Sequence, residues 1–406
     1  MNLLIFATGD FYTKPNPSFH LLTTLITDML NAGIHIYYVG IEEEGLNKHI
    51  PDEFENNPNF EYSLVKAKKI KKTSFVLRYL YGIKYAYDAK KLIKKYINNT
   101  DVVFARSSPT VLYNILAVRK VSKDVKIVYG IQDMFPGSTI ASGKMPNKLM
   151  QKFFFRLQKM AYEKSTIITA ISEDMKTKLL EQGVPEEKIR VIVNWFDDKS
   201  VREIPRKDNL FIKKYHMQRD QFYVQYAGTM GYVFDYNMVL AVARLLQEHD
   251  DIIFQMIGEG SQKTAFIEEA KRQELSNIVF LPLEPQEMVP HVYSACDICF
   301  IPLKKGIIGN SVPSKAGLLM ACKRAIVTTA DEGSDYNIMI NNVHIGIACS
   351  TDNPQDAADA ILKMKEDFVF RDYCANSGYE YGKISYSRSN NTRKYIELFE
   401  EITQRN

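Results

Sequence analysis

The chain has 406 residues, of which 46% are apolar and 25% charged, with a formal net charge of +4 at pH 7. This composition is typical of a soluble globular protein, and the length exceeds what a single hydrophobic core serves, so we expect two domains. No run approaches the roughly 20 apolar residues that cross a bilayer, and we expect the first residues to form a buried strand, not a signal peptide. Five scattered cysteines, including a Cys296–Cys299 pair within an apolar strand, suggest buried thiols in a reducing cytoplasm, not a metal site.

Short apolar strands alternate with amphipathic helices in the first half of the chain. This alternation predicts a parallel sheet covered by helices on both faces. Ser172, followed by Glu173 and Asp174, has the pattern of a helix start. The predicted strands are 3–8, 34–40, 101–106, 126–131, 166–171 and 189–194, and the predicted helices are 19–31, 112–121, 147–164 and 172–181.

The same pattern restarts after a polar span, 199–221, which we interpret as the passage between domains. We predict domains at 1–200 and 201–385, and a terminal helix in 386–406 that packs back toward the first domain. Ligands of such sheets bind at the carboxyl ends of the strands, so a site between the two domains is expected. The predicted strands are 221–228, 251–258, 277–282, 297–303, 325–329 and 343–349, and the predicted helices are 237–248, 264–274, 287–295, 315–322, 356–365 and 391–404.

Positive charge is concentrated in the first 200 residues, which hold 29 Lys and Arg against 21 Asp and Glu. Residues 66–95 contain eleven basic residues and one acid, Asp88, interleaved with aromatic and aliphatic residues, and 148–164 is a second basic, aromatic stretch. Stretches of this kind favour an anionic membrane surface. Nucleic acid is the competing interpretation of a basic, aromatic patch. The third interpretation is that the two stretches are ordinary surface helices with solvated faces.

Residues 306–327 run from a turn-rich loop into a helix start and then a strand. Pro313 suits the first position of a helix, Ser311 or Ser314 can cap it, and Lys315 stands beside it. Backbone N–H groups, a hydroxyl and a cation at a helix start favour an anion, most naturally a phosphate. An ordinary capped helix is the alternative.

Three strand ends in the second half carry glycine where a backbone must come close to another group, at 228–231, 258–260 and 304–306. Together with the helix start at Lys315 they favour a nucleotide or phosphate ligand. Neither a Walker loop nor a GxGxxG turn with a ribose-binding acid is present, which disfavours hydride transfer on a dinucleotide.

In the first half, polar residues stand near predicted strand ends. Asp133 follows strand 126–131, Arg106 ends strand 101–106, and His20 opens the first helix region. A carboxylate or imidazole can orient a hydroxyl, and an arginine can hold a phosphate. Each also has a structural interpretation: Asp133 as a turn cap, His20 as a core residue and Arg106 as a member of a surface ion pair.

Several segments are similar to one known family. The chain resembles the retaining GT-B glycosyltransferases of the family 4 type, especially bacterial members that build capsule or O-antigen polysaccharide. The segments that carry this resemblance are ISEDMKTKLLEQGVPEEKIRVIVNWFD (171–197), FQMIGEGSQK (254–263), the stretch 277–306, SVPSKAGLLMACKRAIV (311–327) and QDMFPGS (132–138).

The resemblance implies an α/β fold of two Rossmann-like doubly wound domains facing across a cleft, with the donor held by the C-terminal domain. Carried over by position, Asp133, His20 and Lys315 would face the reacting centre, and Arg106 and Asn194 would lie on the acceptor side. Such enzymes usually need no metal or cofactor. The implied donor-binding residues are Gly228, Thr229, Gly258, Glu259, Gly260, Leu283, Glu284, Lys305, Ser311, Val312, Pro313 and Ser314.

Some positions depart from the family pattern. Leu318 replaces a glutamate that often binds ribose, and Asn310 replaces an acid. Thr229 and Asp235 stand where an arginine and a lysine commonly grip phosphate.

We therefore expect a retaining hexosyl- or N-acetylhexosaminyltransferase. It would use a nucleotide-sugar donor, most simply UDP-linked, and a saccharide or polyprenyl-linked acceptor. We place it in the cytoplasm, peripheral on the inner face of the membrane, with no nucleic-acid partner. The alternatives are a non-catalytic GT-B subunit that binds another glycosyltransferase and a GT-B sugar-nucleotide epimerase.

Overall fold

Two structural units divide the chain, one made of residues 1–193 and 389–406 and the other of 194–388. The computed structural model describes residues 1–7, 19–44, 50–68, 75–141, 143, 145–308 and 315–404. The division falls seven residues before the predicted boundary at 200/201, and the last 18 residues belong to the first unit.

The first unit is a parallel sheet flanked by helices. Its strands are β1 (Asn2–Phe6), β2 (His35–Glu43), β3 (Phe60–Ala67), β4 (Val102–Arg106), β5 (Lys126–Gly130), β6 (Ile167–Ala170) and β7 (Ile189–Val191). Its helices are α1 (Phe19–Asn31), α2 (Asp52–Glu55), α3 (Phe75–Tyr96), α4 (Val111–Arg119), α5 (Gly137–Ala141), α6 (Lys148–Lys164), α7 (Glu173–Glu181) and α16 (Arg388–Gln404). The strand order is β3-β2-β1-β4-β5-β6-β7.

Buried apolar strands explain why most of this sheet was predictable. Leu3, Leu4, Ile5 and Phe6 of β1 are completely buried, as expected for a central strand covered on both faces. Ser172 caps α7 as predicted, since its hydroxyl accepts a hydrogen bond from the Met175 amide at 3.1 Å. Strand β3 was not predicted, because it is an edge strand in which only Phe60 and Val65 are buried, so no apolar run marks it.

The C-terminal helix α16 packs on the sheet of the first unit. The rings of Tyr395 and Phe399 lie 5.5 and 5.6 Å from the ring of Phe104 in β4. The Tyr395 hydroxyl is also 3.2 Å from that of Thr169 in β6, and all four side chains are buried. These contacts fix the helix on the same sheet that the first 193 residues build.

The second unit repeats the architecture with six parallel strands. Its strands are β8 (Phe222–Ala227), β9 (Ile252–Ile257), β10 (Ile278–Leu281), β11 (Ile298–Pro302), β12 (Ala325–Thr329) and β13 (Gly346–Cys349). Its helices are α8 (Leu210–Lys214), α9 (Tyr236–Leu245), α10 (Lys263–Arg272), α11 (Val289–Tyr293), α12 (Lys315–Ala321), α13 (Asp335–Asn342), α14 (Pro354–Glu366) and α15 (Phe368–Ser385). The strand order is β10-β9-β8-β11-β12-β13. Each unit therefore has the Rossmann-like parallel sheet that the sequence predicts.

The polar span 199–221 is part of the second unit, although the sequence suggested a passage between domains. Phe211 is completely buried in the core of this unit. Asn209 caps α8 by accepting hydrogen bonds from the amides of Phe211 and Ile212, and its side-chain amide donates to the His291 carbonyl at 2.8 Å. One buried aromatic and one buried polar anchor thus tie a charged segment to the fold.

Helix α15 was not predicted, and its glycines explain why. Glycine disfavours a helix interior, but a Cβ on Gly382 would lie 2.8 Å from the Cβ of Met320 in α12. A Cβ on Gly378 would lie 3.1 Å from Ile345. The two glycines let α15 approach the core closely, so packing outweighs local propensity.

Across the described part of the chain, no helix is both long enough and apolar enough to cross a membrane.

Candidate functional site in the second unit

The strand order of the second unit creates a topological switch point. Strands β8 and β11 are neighbours, and the chain proceeds outward from them in opposite directions, to β9 and β10 on one side and to β12 and β13 on the other. Open α/β sheets bind ligands at such a point, beyond the carboxyl ends of the strands. The described loop residues there are 228–235, after β8, and 303–308, after β11. Predicted donor-binding residues lie in both.

The glycines after β8 and β9 lie against each other's loops. The Gly228 amide donates to the Ile257 carbonyl at 2.8 Å, and Gly228 and Gly258 have positive φ angles of 144° and 133°. A Cβ on Gly258 would come within 2.0 Å of the Gly228 carbonyl oxygen, and one on Gly260 within 2.2 Å of the Met230 carbonyl oxygen. The glycine pattern therefore has a structural cause, the backbone contact of two strand-end loops. At Gly228, Gly258 and Gly260 the backbone also carries no side chain that would shield it.

Gln262 ties these loops to the end of β11. Its side-chain amide donates to the carbonyls of Gly231 and Phe234, and its side-chain oxygen accepts from Lys304 Nζ at 3.2 Å. Sequence reasoning did not single out Gln262 or Lys304 as site residues, because a glutamine after a glycine turn has no distinctive pattern and Lys305 stands beside Lys304. Their placement brings a cation to the switch point.

Lys305 and Gly306 face acidic partners. The ammonium group of Lys305 pairs with Asp352, and this hydrogen bond and charge raise the pKa of the exposed Lys305. The Gly306 amide donates to both carboxylate oxygens of Asp331, at 2.8 and 3.0 Å. A phosphate would compete with these carboxylates. Lys304, whose described partner is neutral, is therefore the better placed of the two adjacent lysines for an anionic ligand.

Leu283 and Glu284, predicted near a nucleotide base, follow β10. Leu283 is 59% exposed. The Glu284 side chain is only 4% exposed, and Lys214 Nζ donates to its two carboxylate oxygens at 2.7 and 2.9 Å while the Tyr215 hydroxyl donates to one of them. Burial acts to raise the pKa of Glu284, but the hydrogen bonds from Lys214 and Tyr215 and the Lys214 charge outweigh it, so this pKa lies below its ordinary value of 4.5.

Glu284→Gln should destabilise the second unit in a pH-dependent way. A carboxylate with a lowered folded-state pKa stabilises the fold above its unfolded pKa, near 4.5, and this contribution is lost as the pH falls through the lower folded pKa. We expect the free energy of unfolding of the variant to be about 1–3 kcal/mol lower than that of the parent at pH 7. This difference in unfolding free energy should become smaller below about pH 4.5. Urea unfolding from pH 3 to 8 measures this difference.

The control is Glu380→Gln, which removes an exposed ion pair with Lys383. It should cost less than about 1 kcal/mol at any pH, because exposed pairs contribute little. If the unfolding free energies of Glu284→Gln and the parent differed by the same amount at every pH, the proposed stabilisation by the ionised carboxylate would be contradicted.

In the first unit, the ends of β4 and β5 bring predicted residues together. Asp133 is exposed, and its backbone carbonyl accepts a hydrogen bond from the Ser107 hydroxyl at 3.3 Å. Arg106 precedes Ser107 and is half-buried. Burial raises the pKa of Tyr395, and the hydrogen bond with Thr169 and the positive charge of Arg106 partly oppose this increase. Asn194, predicted on the acceptor side, is the first residue of the second unit.

Other predicted residues lie wholly or partly outside the described region. Ser311, Val312, Pro313 and Ser314 are not described. The backbones of His20 and Lys315 are placed at the starts of α1 and α12, but their side chains are not described. Leu318, which replaces the family glutamate, packs against the apolar core of the second unit.

The five cysteines are free thiols, and all are buried. Burial raises the pKa of Cys322 and Cys349 to about 12, so neither is a reactive thiolate near neutral pH. Within the described ranges, no three His, Cys, Asp or Glu side chains form a group that could hold a metal ion.

A shallow cavity of about 670 Å³ lies elsewhere in the second unit, between α13, β13 and α14. Its charged lining is mostly acidic, with Glu332, Asp356 and Asp359 against Lys363. Acidic lining disfavours a diphosphate, so the switch point remains the candidate site.

Two family models match the chain, one to each half. The model described as Glycosyltransferase Family 4 matches residues 33–200, and the model described as Glycosyl transferases group 1 matches residues 208–381. Among curated relatives, the "Probable glycosyltransferase WbjE" of Pseudomonas aeruginosa is 23% identical over 66% of this chain and 66% of its own length. WcaI of Escherichia coli K12, named for colanic acid biosynthesis, is 22% identical over 52% of this chain and 55% of its own length. The chain therefore aligns with less than two thirds of each relative.

Solved structures share the fold across the whole chain. A sucrose-phosphate synthase from Thermosynechococcus elongatus matches with a TM-score of 0.77 and 13% identity, covering 100% of both chains. HepE from Anabaena, solved in complex with UDP-glucose, matches with a TM-score of 0.74 and 13% identity, covering 99% of this chain and 100% of that one. At this identity the likeness establishes the fold alone, which is GT-B.

Proposed function

We propose that this chain, which contains a Glycosyltransferase Family 4 domain followed by a Glycosyl transferases group 1 domain, transfers a sugar from a nucleoside diphosphate donor to a saccharide acceptor. The observation that carries the proposal is the switch point of the second unit, where the glycine turns after β8 and β9 meet Lys304 after β11. Backbone without side chains at the glycines, together with a cation, suits a diphosphate.

The donor is proposed to be UDP-linked and its sugar a hexose or an N-acetylhexosamine. The structural neighbour HepE was solved with UDP-glucose, which supports a uridine nucleotide for this fold. We propose a lipid-linked saccharide at the inner membrane face as the acceptor, within surface polysaccharide synthesis, in line with the name of WcaI.

Transfer is proposed to retain the anomeric configuration. The bond between the anomeric carbon and the diphosphate oxygen breaks while the acceptor oxygen bonds to the same carbon on the same face. The acceptor proton passes to the leaving diphosphate, and lysines 304 and 315 offset the negative charge that develops there. Asp133 and His20 are proposed to orient the acceptor hydroxyl.

A donor screen tests this proposal. UDP-, GDP-, dTDP- and CMP-linked sugars are added one at a time, and the melting temperature and slow donor hydrolysis are recorded. The correct donor, at 100 times its Kd, should stabilise the protein by about 2.7 kcal/mol. NMR of a product formed with a membrane lipid extract then shows whether the anomeric configuration of the sugar is retained. A product with inverted configuration would rule out the retaining mechanism but would still support sugar transfer.

The second candidate is a non-catalytic subunit. Leu318 packs against the apolar core at the position where the family pattern has a ribose-binding acid, and Thr229 stands where a phosphate-gripping side chain is usual. If no donor raises the melting temperature of the protein and none is hydrolysed, with or without lipid extract, the non-catalytic subunit becomes the favoured function.

A further inference from the structure

Helices α3 and α6 expose large apolar side chains to solvent. Leu77 and Leu80 of α3 are 50% and 55% exposed, and Leu149 and Phe153 of α6 are 77% and 55% exposed. Exposed apolar residues that occur singly need no explanation, whereas a cluster of them marks an interaction site.

The fold places these two stretches, which are about 70 residues apart in sequence, side by side. Both helices pack on α4, and the rings of Tyr79 in α3 and Phe154 in α6 meet edge to face with centroids 5.1 Å apart. Leu80 follows Tyr79, and Phe153 precedes Phe154, so the exposed side chains flank the contact in sequence. We name the outward faces of the two helices the α3–α6 surface.

Positive charge runs along this surface. Lys148, Lys152, Arg156 and Lys159 recur at helical spacing and share one exposed face of α6, beside the stripe that holds Leu149 and Phe153. On α3, Lys84 and Lys91 share a face with Leu77, Leu80 and Tyr87, and all five residues are exposed. The two helices together contain eleven Lys and Arg against two acids, Asp88 and Glu163, a balance of 11 − 2 = +9.

We propose that the α3–α6 surface docks the protein on an anionic lipid bilayer, with the leucines and Phe153 in the interface and the cations at the headgroups. An interfacial helix needs this combination of an apolar stripe and an adjoining basic stripe. Nucleic acid would use the cations but would leave the exposed leucines in water. A symmetric dimer would bring two strongly basic faces together, which like-charge repulsion opposes.

Docking through this surface would bring the protein to a membrane that holds the proposed lipid-linked acceptor. In that respect the inference rests on the proposed function. Docking itself needs no sugar substrate. Vesicle binding can therefore fail while donor binding succeeds, and the reverse, so the two proposals are tested separately.

Vesicle sedimentation is the test, with phosphatidylcholine vesicles that contain or lack phosphatidylglycerol. The protein should sediment with the anionic vesicles and much less with the neutral ones, and added salt should release it. Each cation near an anionic surface strengthens binding about five-fold, so replacing Lys148, Lys152, Arg156 and Lys159 with Gln should weaken it by more than about 100-fold. A second variant, Leu77→Gln with Leu80→Gln and Phe153→Gln, should also release the protein.

Matched controls lie on exposed positions of the second unit. Val369→Gln with Ile384→Gln removes two apolar side chains that are 77% and 70% exposed, and Lys207→Gln with Lys271→Gln removes two exposed cations. These variants should sediment like the parent protein. Circular dichroism and the melting temperature verify that every variant is folded.

A gain-of-signal measurement completes the test. In Phe153→Trp, brominated lipids should quench the new indole but not the single natural tryptophan, Trp195, which is buried. No sedimentation with anionic vesicles, or sedimentation that neither surface variant reduces, would overturn the proposal. So would a parent protein that is dimeric by light scattering and becomes monomeric when the three apolar side chains are replaced.

Discussion

Lys315→Ala should reduce turnover about 100- to 1,000-fold, the loss expected when one preorganised group that stabilises transition-state charge is removed. Lys315 begins α12, the helix that follows β11 in the chain, and β11 lies beside β8 at the switch point. The helix is held in place by Ala316 and Leu319, both completely buried. A fixed helix carries its first residue at the carboxyl edge of the sheet, where the leaving diphosphate is proposed to lie.

The effect should fall on turnover far more than on acceptor affinity, because the charge on the diphosphate develops only as the bond breaks. Steady-state kinetics with the donor identified in the screen measures kcat and the KM for each substrate. Lys271→Ala, on an exposed face of α10, is the control and should retain the parent rate. A near-normal kcat for Lys315→Ala would remove this residue from the reaction centre.

Gly258→Ala should destabilise the second unit by about 3 kcal/mol or more, through backbone strain and a steric clash together. The φ of Gly258 is 133°, a conformation that alanine rarely adopts, and the added Cβ would lie 2.0 Å from the Gly228 carbonyl oxygen. Because that contact is backbone, no side chain can rotate to relieve it. Urea unfolding without any donor present measures the loss directly.

Gly231→Ala is the matched control in the loop after β8. Its Cβ would meet only the Thr229 side-chain methyl, at 3.4 Å, an ordinary contact distance. We expect a change of less than about 1 kcal/mol for this variant, since neither strain nor a clash is introduced. If Gly258→Ala were as stable as Gly231→Ala, the close approach of the two strand-end loops would be wrong.

Local signals were sufficient for much of the candidate site's framework. The strand ends at Gly228, Gly258 and Lys305 were identified from apolar runs that stop at glycine or lysine, and the parallel sheet brings such ends to one edge. The roles of individual side chains were not predictable in this way. Glu284 proves to be held by Lys214 and Tyr215, about 70 positions earlier, and no local pattern encodes a pairing over that distance.

The sequence by itself determined that the chain forms two parallel α/β sheets, because the apolar content of a buried strand and the spacing of an amphipathic helix are properties of a few consecutive residues. Only the tertiary structure decided which distant residues meet. It placed the glycine-containing helix α15 against Met320, where close packing outweighs poor helix propensity. It also brought Leu80 and Phe153 onto neighbouring helices, joined by the contact of Tyr79 with Phe154. These outcomes depend on the complementary shapes of surfaces far apart in the chain, which exist only once the chain has folded.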